Sequence, residues 1–344
     1  MRAAMFTEPG PATVLHIVER PIPPVGPGEV RVRVAVSGVN PTDVGARAGH
    51  GTTDGTDGPH VPGQDGAGVV DAVGPGVSGL RRGDPVWMWD CAWQRSEGTC
   101  QEYVTLPRRH VVRLPDGVPL ETGAALGIPA LTAHRALTAA ADGPRELGPG
   151  TLHGLVVLIT GGAGAVGNAA IQLAVWSGAT VLATVDSAEK AALAKAAGAH
   201  HVLDYRQEDV AARLVELTGR RADLIVEVNA SANFPVDVAA IADHGTVAIY
   251  TPGRQGTLRV PTVACMLKNV QLQFILTYLT TIEQKDAAIG AVSDAVAARA
   301  LRIGEDAGLP VIKFPLERVV EAHEAVERHV VGKVLVDVRA GDDA

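Results

Sequence analysis

The sequence contains few cysteines. Only Cys91, Cys100 and Cys265 occur among 344 residues, and no two of them have the CxxC spacing of many metal and redox sites. An odd number of widely spaced cysteines argues against a disulfide framework and indicates reduced thiols, as is usual in the cytosol.

The sequence also lacks an excess of positive charge and a long apolar segment. Its 30 Lys plus Arg stand against 38 Asp plus Glu, a net charge of −8, so nothing favours nucleic acid or an anionic membrane. No run reaches the roughly 18 apolar residues of a spanning helix. The opening MRAAMFTEPG has no basic region before an apolar stretch, so no secretory signal is predicted. These absences predict a cytoplasmic protein without nucleic-acid or membrane partners.

Length and hydrophobic content predict two domains. A single hydrophobic core rarely extends beyond about 250 to 300 residues, and this chain has 344 residues, of which 47% are hydrophobic. The first 120 or so residues are rich in Gly and Pro and carry short β-branched runs, which predicts an all-β unit. These runs lie at 30–36, 68–73 and 85–88.

From about residue 130 to 280, strand-like apolar runs alternate with segments of helical periodicity. This alternation is typical of a doubly wound parallel sheet, so the fold class is predicted as α/β. The predicted strands are LVVLIT (155–160), TVLATV (180–185), HHVLDY (200–205), DLIVEVNA (223–230) and GTVAIYT (245–251). After residue 309, short β segments return around one helix, LERVVEAHEAVER.

A glycine-rich turn, GGAGAVG, stands between the strand LVVLIT and the helix NAAIQLA. A GxGxxG pattern alone is a weak signal, but between a strand and a helix it indicates a dinucleotide site. Glycine lets the backbone approach a pyrophosphate, whose charge then meets the amides at the helix N-terminus. The predicted cofactor-binding turn comprises Gly161, Gly162, Ala163, Gly164, Ala165, Val166 and Gly167.

The residues after the second strand give a mixed signal about which dinucleotide binds. A carboxylate there accepts hydrogen bonds from the ribose hydroxyls of NADH, whereas cations accommodate the 2′-phosphate of NADPH. Asp186 fits the first pattern, but Ser187 and Lys190 follow it at once. Lys190 could equally be a solvated residue at a helix start, so both cofactors stay open here.

The order of motifs resembles the medium-chain dehydrogenase/reductase family, and within it the zinc-independent, zeta-crystallin-like quinone oxidoreductases. The resemblance runs through nearly the whole chain, and several long motifs in the family's order are a strong signal. They are SGVNPTDVGARAG (37–49), VPGQDGAGVVDAVGPGV (61–77), GDPVW (83–87), AALGIPALTAHRAL (124–137), the glycine turn, LDYRQED (203–209) and PLERVVEAHEAVE (315–327) before GKVLVDV.

The resemblance implies a GroES-like catalytic β domain built from 1–124 and 282–344, with a Rossmann NADPH-binding domain at 125–281. Related enzymes are commonly homodimers joined along the edge of the Rossmann sheet. The apolar segment NVQLQFILTYL, 269–279, could supply that edge strand, although it could also be an ordinary buried strand.

The resemblance also implies the cofactor and its ligands. In NADPH-using relatives a lysine, a tyrosine and an arginine hold the 2′-phosphate, and Lys190, Tyr205 and Arg328 stand at those motif positions. A phosphate dianion receives charge-assisted hydrogen bonds from such groups. NADPH is therefore expected, with NADH as a weaker substitute because of Asp186. The full predicted set outside the turn is Asp186, Ser187, Lys190, Tyr205, Thr251, Gly253 and Arg328.

Zinc-dependent relatives carry a catalytic Cys and a His-Glu pair, but here Asn40 stands in place of the Cys, and Gln64 with Asp65 in place of the pair. An amide is a poor zinc ligand, so no metal is expected. Without a Lewis acid the acceptor must be electrophilic itself, which favours a quinone. The alternatives are an enone or enoyl reductase acting on an activated C=C bond and an NADPH-binding scaffold or redox sensor with little turnover.

Family counterparts of Asn40, Gln64 and Thr132 lie near the nicotinamide or the substrate, which makes these three the candidates for positioning substrate. Each also has a simpler structural explanation. Asn40 could be a turn residue, Gln64 a surface amide, and Thr132 a helix residue whose hydroxyl bonds to its own backbone. Two departures from the family leave the acceptor pocket open: no tyrosine follows Gly49 closely, and His134 stands where tyrosine is common. No proton donor can be named.

Overall fold

The computed structural model describes residues 1–50, 58–251, 253 and 255–339. The cluster of Gly, Thr and Asp at 49–58 predicts a loop in the sequence, and it lies mostly outside the described residues. The chain divides into two compact units, one of 1–128 with 311–344 and one of 129–310. The sequence predicts domain boundaries after residue 124 and after residue 281, and these boundaries stay a proposal.

The first unit contains an antiparallel sheet with one parallel pair at its edge. The order is β14–β15–β3–β4–β5–β7, with β6 also paired to β3, and β1 and β2 form a separate two-stranded ribbon. Its strands, numbered in chain order, are β1 (Arg2–Met5), β2 (His16–Glu19), β3 (Glu29–Gly38), β4 (Asp65–Val73), β5 (Pro85–Met88), β6 (Tyr103–Pro107), β7 (Val111–Arg113), β14 (Val311–Pro315) and β15 (Lys333–Asp337).

Three helices accompany this sheet: α1 (Pro41–Arg47), α2 (Leu120–Ala124) and α10 (Val319–Glu327). Alternating valines of β3 point inward, as the period of two in EVRVRVAV predicts. They form one core with side chains from β4, β6 and β15, including Val30, Val32, Val34, Val70, Val104, Leu106, Val334 and Val336.

The second unit contains a six-stranded parallel sheet in the order β10–β9–β8–β11–β12–β13. Its strands are β8 (Val156–Ile159), β9 (Thr180–Val185), β10 (His201–Asp204), β11 (Ala222–Glu227), β12 (Ile241–Ile249) and β13 (Gln271–Phe274). Its helices are α3, which begins at Gly127 and ends at Leu137, α4 (Ala165–Trp176), α5 (Ala188–Ala196), α6 (Val210–Thr218), α7 (Ala230–Ala240), α8 (Thr262–Lys268) and α9 (Ile282–Ala297).

The strand order reverses at β8, because β9 and β10 follow on one side while β11, β12 and β13 lie on the other. Ligands of open parallel sheets bind outside the carboxyl ends of the strands at such a reversal. The glycine turn follows β8 directly, so it stands at this point of the sheet.

Two predicted elements differ from the observed ones for local reasons. The strand predicted from Gly245 begins at Ile241, because Ile241 already pairs with Ala222 before a shift in register. The segment GAALGIPALTAHRAL, 123–137, has apolar residues at helical spacing, which predicts one helix, but α2 ends at Ala124 and α3 begins at Gly127. An oxygen of Asp65 accepts a hydrogen bond from the Ile128 amide, 2.9 Å away, and so caps the start of α3.

No helix in the described part of the chain is long and apolar enough to cross a membrane. The cytoplasmic location expected from the sequence stays a prediction.

Candidate functional site

The glycine turn is held tightly against its own sheet. The amide of Gly162 donates to the Thr184 carbonyl of β9 at 3.0 Å, and the Gly164 amide donates to the Gly161 carbonyl at 3.0 Å. A Cβ on Gly162 would lie 2.7 Å from the Cβ of Ala183, and one on Gly167 would lie 2.3 Å from the Gly161 oxygen. Side chains are therefore excluded at both positions by the fold itself.

The same turn leaves donors at the start of α4. Gly164 is exposed with φ −79°, and the half-exposed Ala165 and Val166 begin the helix. The first amides of a helix have no acceptor inside it and carry the positive end of the helix dipole. This cradle of backbone without side chains fits a dinucleotide pyrophosphate.

Asp186, at the end of β9, is engaged by two cations. Its Oδ1 lies 2.7 Å from Lys190 Nζ, and its Oδ2 lies 3.2 Å from a terminal nitrogen of Arg206. These contacts lower the pKa of Asp186, with Lys190 as the largest cause. Ser187 caps α5 by accepting a hydrogen bond from the Lys190 amide at 3.3 Å.

Tyr205, Thr251 and Gly253 also lie at the carboxyl ends of the strands. The Tyr205 amide donates to the Val185 carbonyl at 3.1 Å, which places residue 205 beside the end of β9, and its side chain is exposed. Thr251 donates its hydroxyl to the Val228 carbonyl at 2.7 Å. Gly253 has φ +78°, and a Cβ there would lie 2.1 Å from the Asn229 side chain.

A cavity of about 410 Å³ opens between α6 and α7 near the same strand ends. Thr160, Thr184, Tyr205 and Asn233 are among its lining residues. Glu227 ends β11 in the interior beside it, and its Oε1 accepts a hydrogen bond from Asn233 Nδ2 at 3.0 Å. Burial raises the pKa of Glu227 and that of Asp237, also buried, which the neighbouring Glu227 charge raises further.

Arg328 belongs to the other unit. It lies at the carboxyl end of α10, where a terminal nitrogen is 3.3 Å from a Glu324 oxygen, and its side chain is exposed. Its assignment to a cofactor phosphate stays a prediction.

In the first unit, Asn40 forms a buried polar group with Asp65 and Lys333. Lys333 Nζ donates to Asn40 Oδ1 at 2.6 Å, and Asn40 Nδ2 donates to Asp65 Oδ2 at 2.7 Å. The ammonium lies 3.8 Å from the same Asp65 oxygen, and all three side chains are buried. Both ends of the Asn40 amide are thereby engaged with protein groups.

Asp43 and Gln64 extend this buried group. The Asp43 carboxylate accepts hydrogen bonds from the backbone amide of Asn40 at 2.8 Å and from the backbone amide of Gln64 at 2.9 Å. The Gln64 side chain is buried, and its oxygen accepts from the Ala92 amide at 3.1 Å. The geometry agrees with a structural role for Asp43, while substrate contacts of Asn40 and Gln64 stay predictions.

Burial dominates the charges in this group. It raises the pKa of Asp65 to about 7 and that of Asp43 to about 6, against the opposing effect of Lys333 and of their hydrogen-bond donors. Burial likewise lowers the pKa of Lys333, while the two carboxylates oppose that change. The Lys333 ammonium therefore stabilises the charged forms of two buried carboxylates, Asp65 and Asp43.

Thr132 and His134 lie inside the second unit. Thr132 is buried and shares a hydrogen bond of 2.5 Å with the hydroxyl of Thr277. His134 is buried too; its Nε2 accepts from the Leu147 amide at 3.3 Å, and burial lowers its pKa to about 4. A buried histidine with so low a pKa is neutral near pH 7.

Comparison with known proteins adds the family. Residues 26–116 match the family model described as "Alcohol dehydrogenase GroES-like domain", and residues 165–293 match "Zinc-binding dehydrogenase". The curated human "Quinone oxidoreductase" is 30% identical over 334 residues, which cover 95% of this chain and 94% of that protein. The chain belongs to the medium-chain dehydrogenase/reductase family.

Solved structures of this family agree. An NAD-dependent alcohol dehydrogenase superposes with a TM-score of 0.84 at 30% identity, covering 98% of this chain and 100% of that one. A mycobacterial protein complexed with NADPH gives 0.80 at 30% identity, covering 98% and 99%. The predicted family and the α/β fold class, with a GroES-like and a Rossmann part, are confirmed. As a family member the chain is an NAD(P)H oxidoreductase.

Two charged residues next to the candidate sites were not identified from the sequence. Lys333 directly precedes the apolar run VLV in KVLVD, and that pattern could have indicated a buried cation. Arg206 follows Tyr205 in LDYRQED, where its charge next to a predicted phosphate ligand was a usable signal. Neither contact to a distant carboxylate can be read from spacing.

Proposed function

We propose that this protein transfers hydride from NADPH to a quinone without zinc. The family supplies the oxidoreductase activity, curated relatives such as the human protein carry the name quinone oxidoreductase, and a mycobacterial neighbour was solved with NADPH. The natural acceptor would be a small molecule whose own electronics replace a metal.

The observation that carries the zinc-free part is the chemistry of the group around Asn40. Its side chains are an amide, a carboxylate and an ammonium, and the ammonium of Lys333 already supplies the positive charge beside Asp65. Within 1–50, 58–251, 253 and 255–339, no three His, Cys, Asp or Glu side chains gather to hold a metal ion. A second cation beside Lys333 would meet direct repulsion.

When bound, NADPH supplies the hydride. In this proposal the turn 161–167 binds the pyrophosphate with backbone amides, and Lys190, Tyr205 and Arg328 bind the 2′-phosphate. Thr251 and Gly253, which lie beside Val228 and Asn229, contact the cofactor in this proposal. Asn40, Gln64 and Thr132 position the acceptor, with the buried hydrogen bonds of Asn40 and Gln64 limiting them to small adjustments.

A panel of acceptors tests the proposal. The purified protein is mixed with NADPH and, in turn, with small quinones and enones of matched size, and NADPH consumption is followed optically with and without a metal chelator. We expect turnover with quinones, unchanged by the chelator, and slower turnover with NADH. No oxidation by any quinone would overturn the quinone assignment, and turnover with enones alone would establish the reductase of activated C=C bonds.

We also propose that the protein is a homodimer joined at the free edge of β13. Among the described residues β13 pairs only with β12, so its other edge offers backbone groups that no described strand pairs. Large apolar side chains are exposed on β13 and in the segments before and after it, and such side chains often mark a protein interface where they cluster. This β13 patch comprises Val263, Met266, Leu267, Phe274, Leu276, Leu279 and Ile282.

Charges placed in the β13 patch should separate the dimer. Leu267 and Phe274 are 78% and 62% exposed, so Leu267→Asp with Phe274→Asp costs little in the free chain but brings carboxylates into the proposed interface. Sedimentation should give twice the chain mass for the wild type and one chain mass for the variant. Val215→Asp, on α6, is the control and should remain dimeric. A wild-type mass of one chain would refute the dimer.

A further inference from the structure

The side chains around Asp186 form a charge cluster that the motif assignment did not foresee. Lys190 approaches from one turn along α5, and Arg206 approaches from the segment after β10. That segment is fixed to β9, because Asp204 pairs with Val185 and the Tyr205 amide bonds to the Val185 carbonyl. The two cations therefore reach different oxygens of one carboxylate from two different segments of the chain.

The cluster is unbalanced. Two positive groups share one carboxylate, so the side chains of Asp186, Lys190 and Arg206 together carry a charge of +1. Asp204, at the end of β10, accepts hydrogen bonds from the Arg206 backbone amide at 3.0 Å and from the Gln207 side chain at 2.9 Å. Arg206 is 65% exposed and Lys190 is 35% exposed, whereas Asp186 is 19% exposed. The cations can turn toward a ligand in solvent, while the carboxylate stays at the end of its strand.

We propose that Arg206 is a further ligand of the 2′-phosphate, and that Asp186 competes with this phosphate for Arg206 and Lys190. The inference rests on the proposed use of NADPH and adds the residues that set its preference over NADH. A guanidinium binds phosphate with paired hydrogen bonds, so Arg206 gains more from a dianion than from one carboxylate oxygen.

The competition gives Asp186 opposite effects on the two cofactors. With NADPH, its carboxylate must release two cations and then repels the phosphate nearby. With NADH, it accepts hydrogen bonds from the ribose hydroxyls and keeps its cations. Asp186 therefore lowers the affinity for NADPH and raises that for NADH, and Arg206 acts in the reverse sense.

The adenosine half of each cofactor isolates this effect. Calorimetric titrations with adenosine 2′,5′-bisphosphate and with 5′-AMP measure binding with and without the 2′-phosphate. We expect Arg206→Gln to weaken the bisphosphate about tenfold and to leave 5′-AMP within about twofold. Asp186→Asn should strengthen the bisphosphate about fivefold and weaken 5′-AMP, since the amide keeps the shape and removes the charge.

A matched control is Arg302→Gln, which removes an arginine of the same unit that is paired with Asp306 at 3.1 Å. It should change neither affinity. If wild-type protein binds both nucleotides but Arg206→Gln leaves the bisphosphate unchanged, or Asp186→Asn weakens it, the inference is wrong and NADPH use stands. If neither nucleotide nor either intact cofactor binds wild-type protein, the proposed function itself fails.

Discussion

Replacing Gly167 by alanine is expected to lower the affinity for NADPH and NADH by about a hundredfold or more. The new Cβ would lie 2.3 Å from the Gly161 oxygen and 3.0 Å from the Gly162 Cα, and both are backbone atoms that no rotamer change can move. The start of α4 must then separate from the turn. Pyrophosphate binding requires the turn and the first amides of α4 in their present arrangement. Because NADPH and NADH share the pyrophosphate, the loss of affinity should be similar for the two cofactors. Fluorescence titration of each cofactor measures it.

Two other glycines separate this effect from general damage. In Gly148→Ala the nearest atom to the new Cβ is the Thr151 methyl carbon at 3.8 Å, so this variant should bind both cofactors as the wild type does. Gly164→Ala fits the free protein, because φ is −79° and the nearest atom lies 3.4 Å away. It should keep the thermal midpoint of the wild type, so any loss of binding comes from contact with the ligand. Unchanged affinity in a folded Gly167→Ala protein would contradict the pyrophosphate assignment.

Replacing Lys333 by methionine is expected to destabilise the folded protein by about 3 to 5 kcal/mol near pH 7.5. The change removes the one ammonium that faces buried Asp65 and Asp43, and breaking a buried ion pair costs about that amount. Urea unfolding measures it. Lys313→Met is the control, because Lys313 forms a partly exposed ion pair with Glu121 at 2.7 Å, and its loss should cost less than about 1 kcal/mol.

The Lys333→Met defect should shrink as the pH falls. A carboxyl whose pKa is higher in the folded state costs stability above that pKa, and the cost shrinks as the pH falls from that value toward the pKa in the unfolded state. Asp65 already has a pKa of about 7 and Asp43 of about 6, and loss of the ammonium raises both further. The difference from wild type should therefore narrow between about pH 8 and pH 5. A pH-independent difference would contradict a charge origin.

A double variant keeps the test decisive if Lys333→Met alone does not fold. In Lys333→Met with Asp65→Asn, the Asp65 charge is absent, Asp43 keeps its backbone hydrogen bonds from Asn40 and Gln64, and the side-chain amide of Asn40 can reverse to accept from the new amide. Most of the lost stability should return. If the double variant is as unstable as the single one, the volume of the lysine stem rather than its charge holds this group together.

The strands and the glycine turn were predictable because their signals are local. A run such as TVLATV forms β9 over the same six residues, 180–185, since β-branched and apolar side chains fit a buried parallel strand. The helix after the turn ends before Gly178, whose φ of +87° favours glycine. GGAGAVG between such elements permits few structures other than a phosphate-binding turn.

The pairing of charges was not predictable. Asp186 looked like a ribose ligand in the sequence, yet its two cations come from the next helix and from a segment 20 residues on. Asn40 stays a proposed substrate contact, and nothing in the sequence indicated that Lys333, 293 residues away, donates to its side-chain oxygen. These contacts depend on the register of strands distant in sequence, which no local pattern encodes.

By itself, the sequence determined the α/β class, the glycine-rich turn after β8 and the family, because backbone geometry and side-chain periodicity are properties of neighbouring residues. Only the tertiary structure decided which charges meet. Lys333 beside Asp65 and Arg206 beside Asp186 are brought together by sheet pairing, and a buried or shared charge has energetic meaning only once its partner and its exposure to water are known.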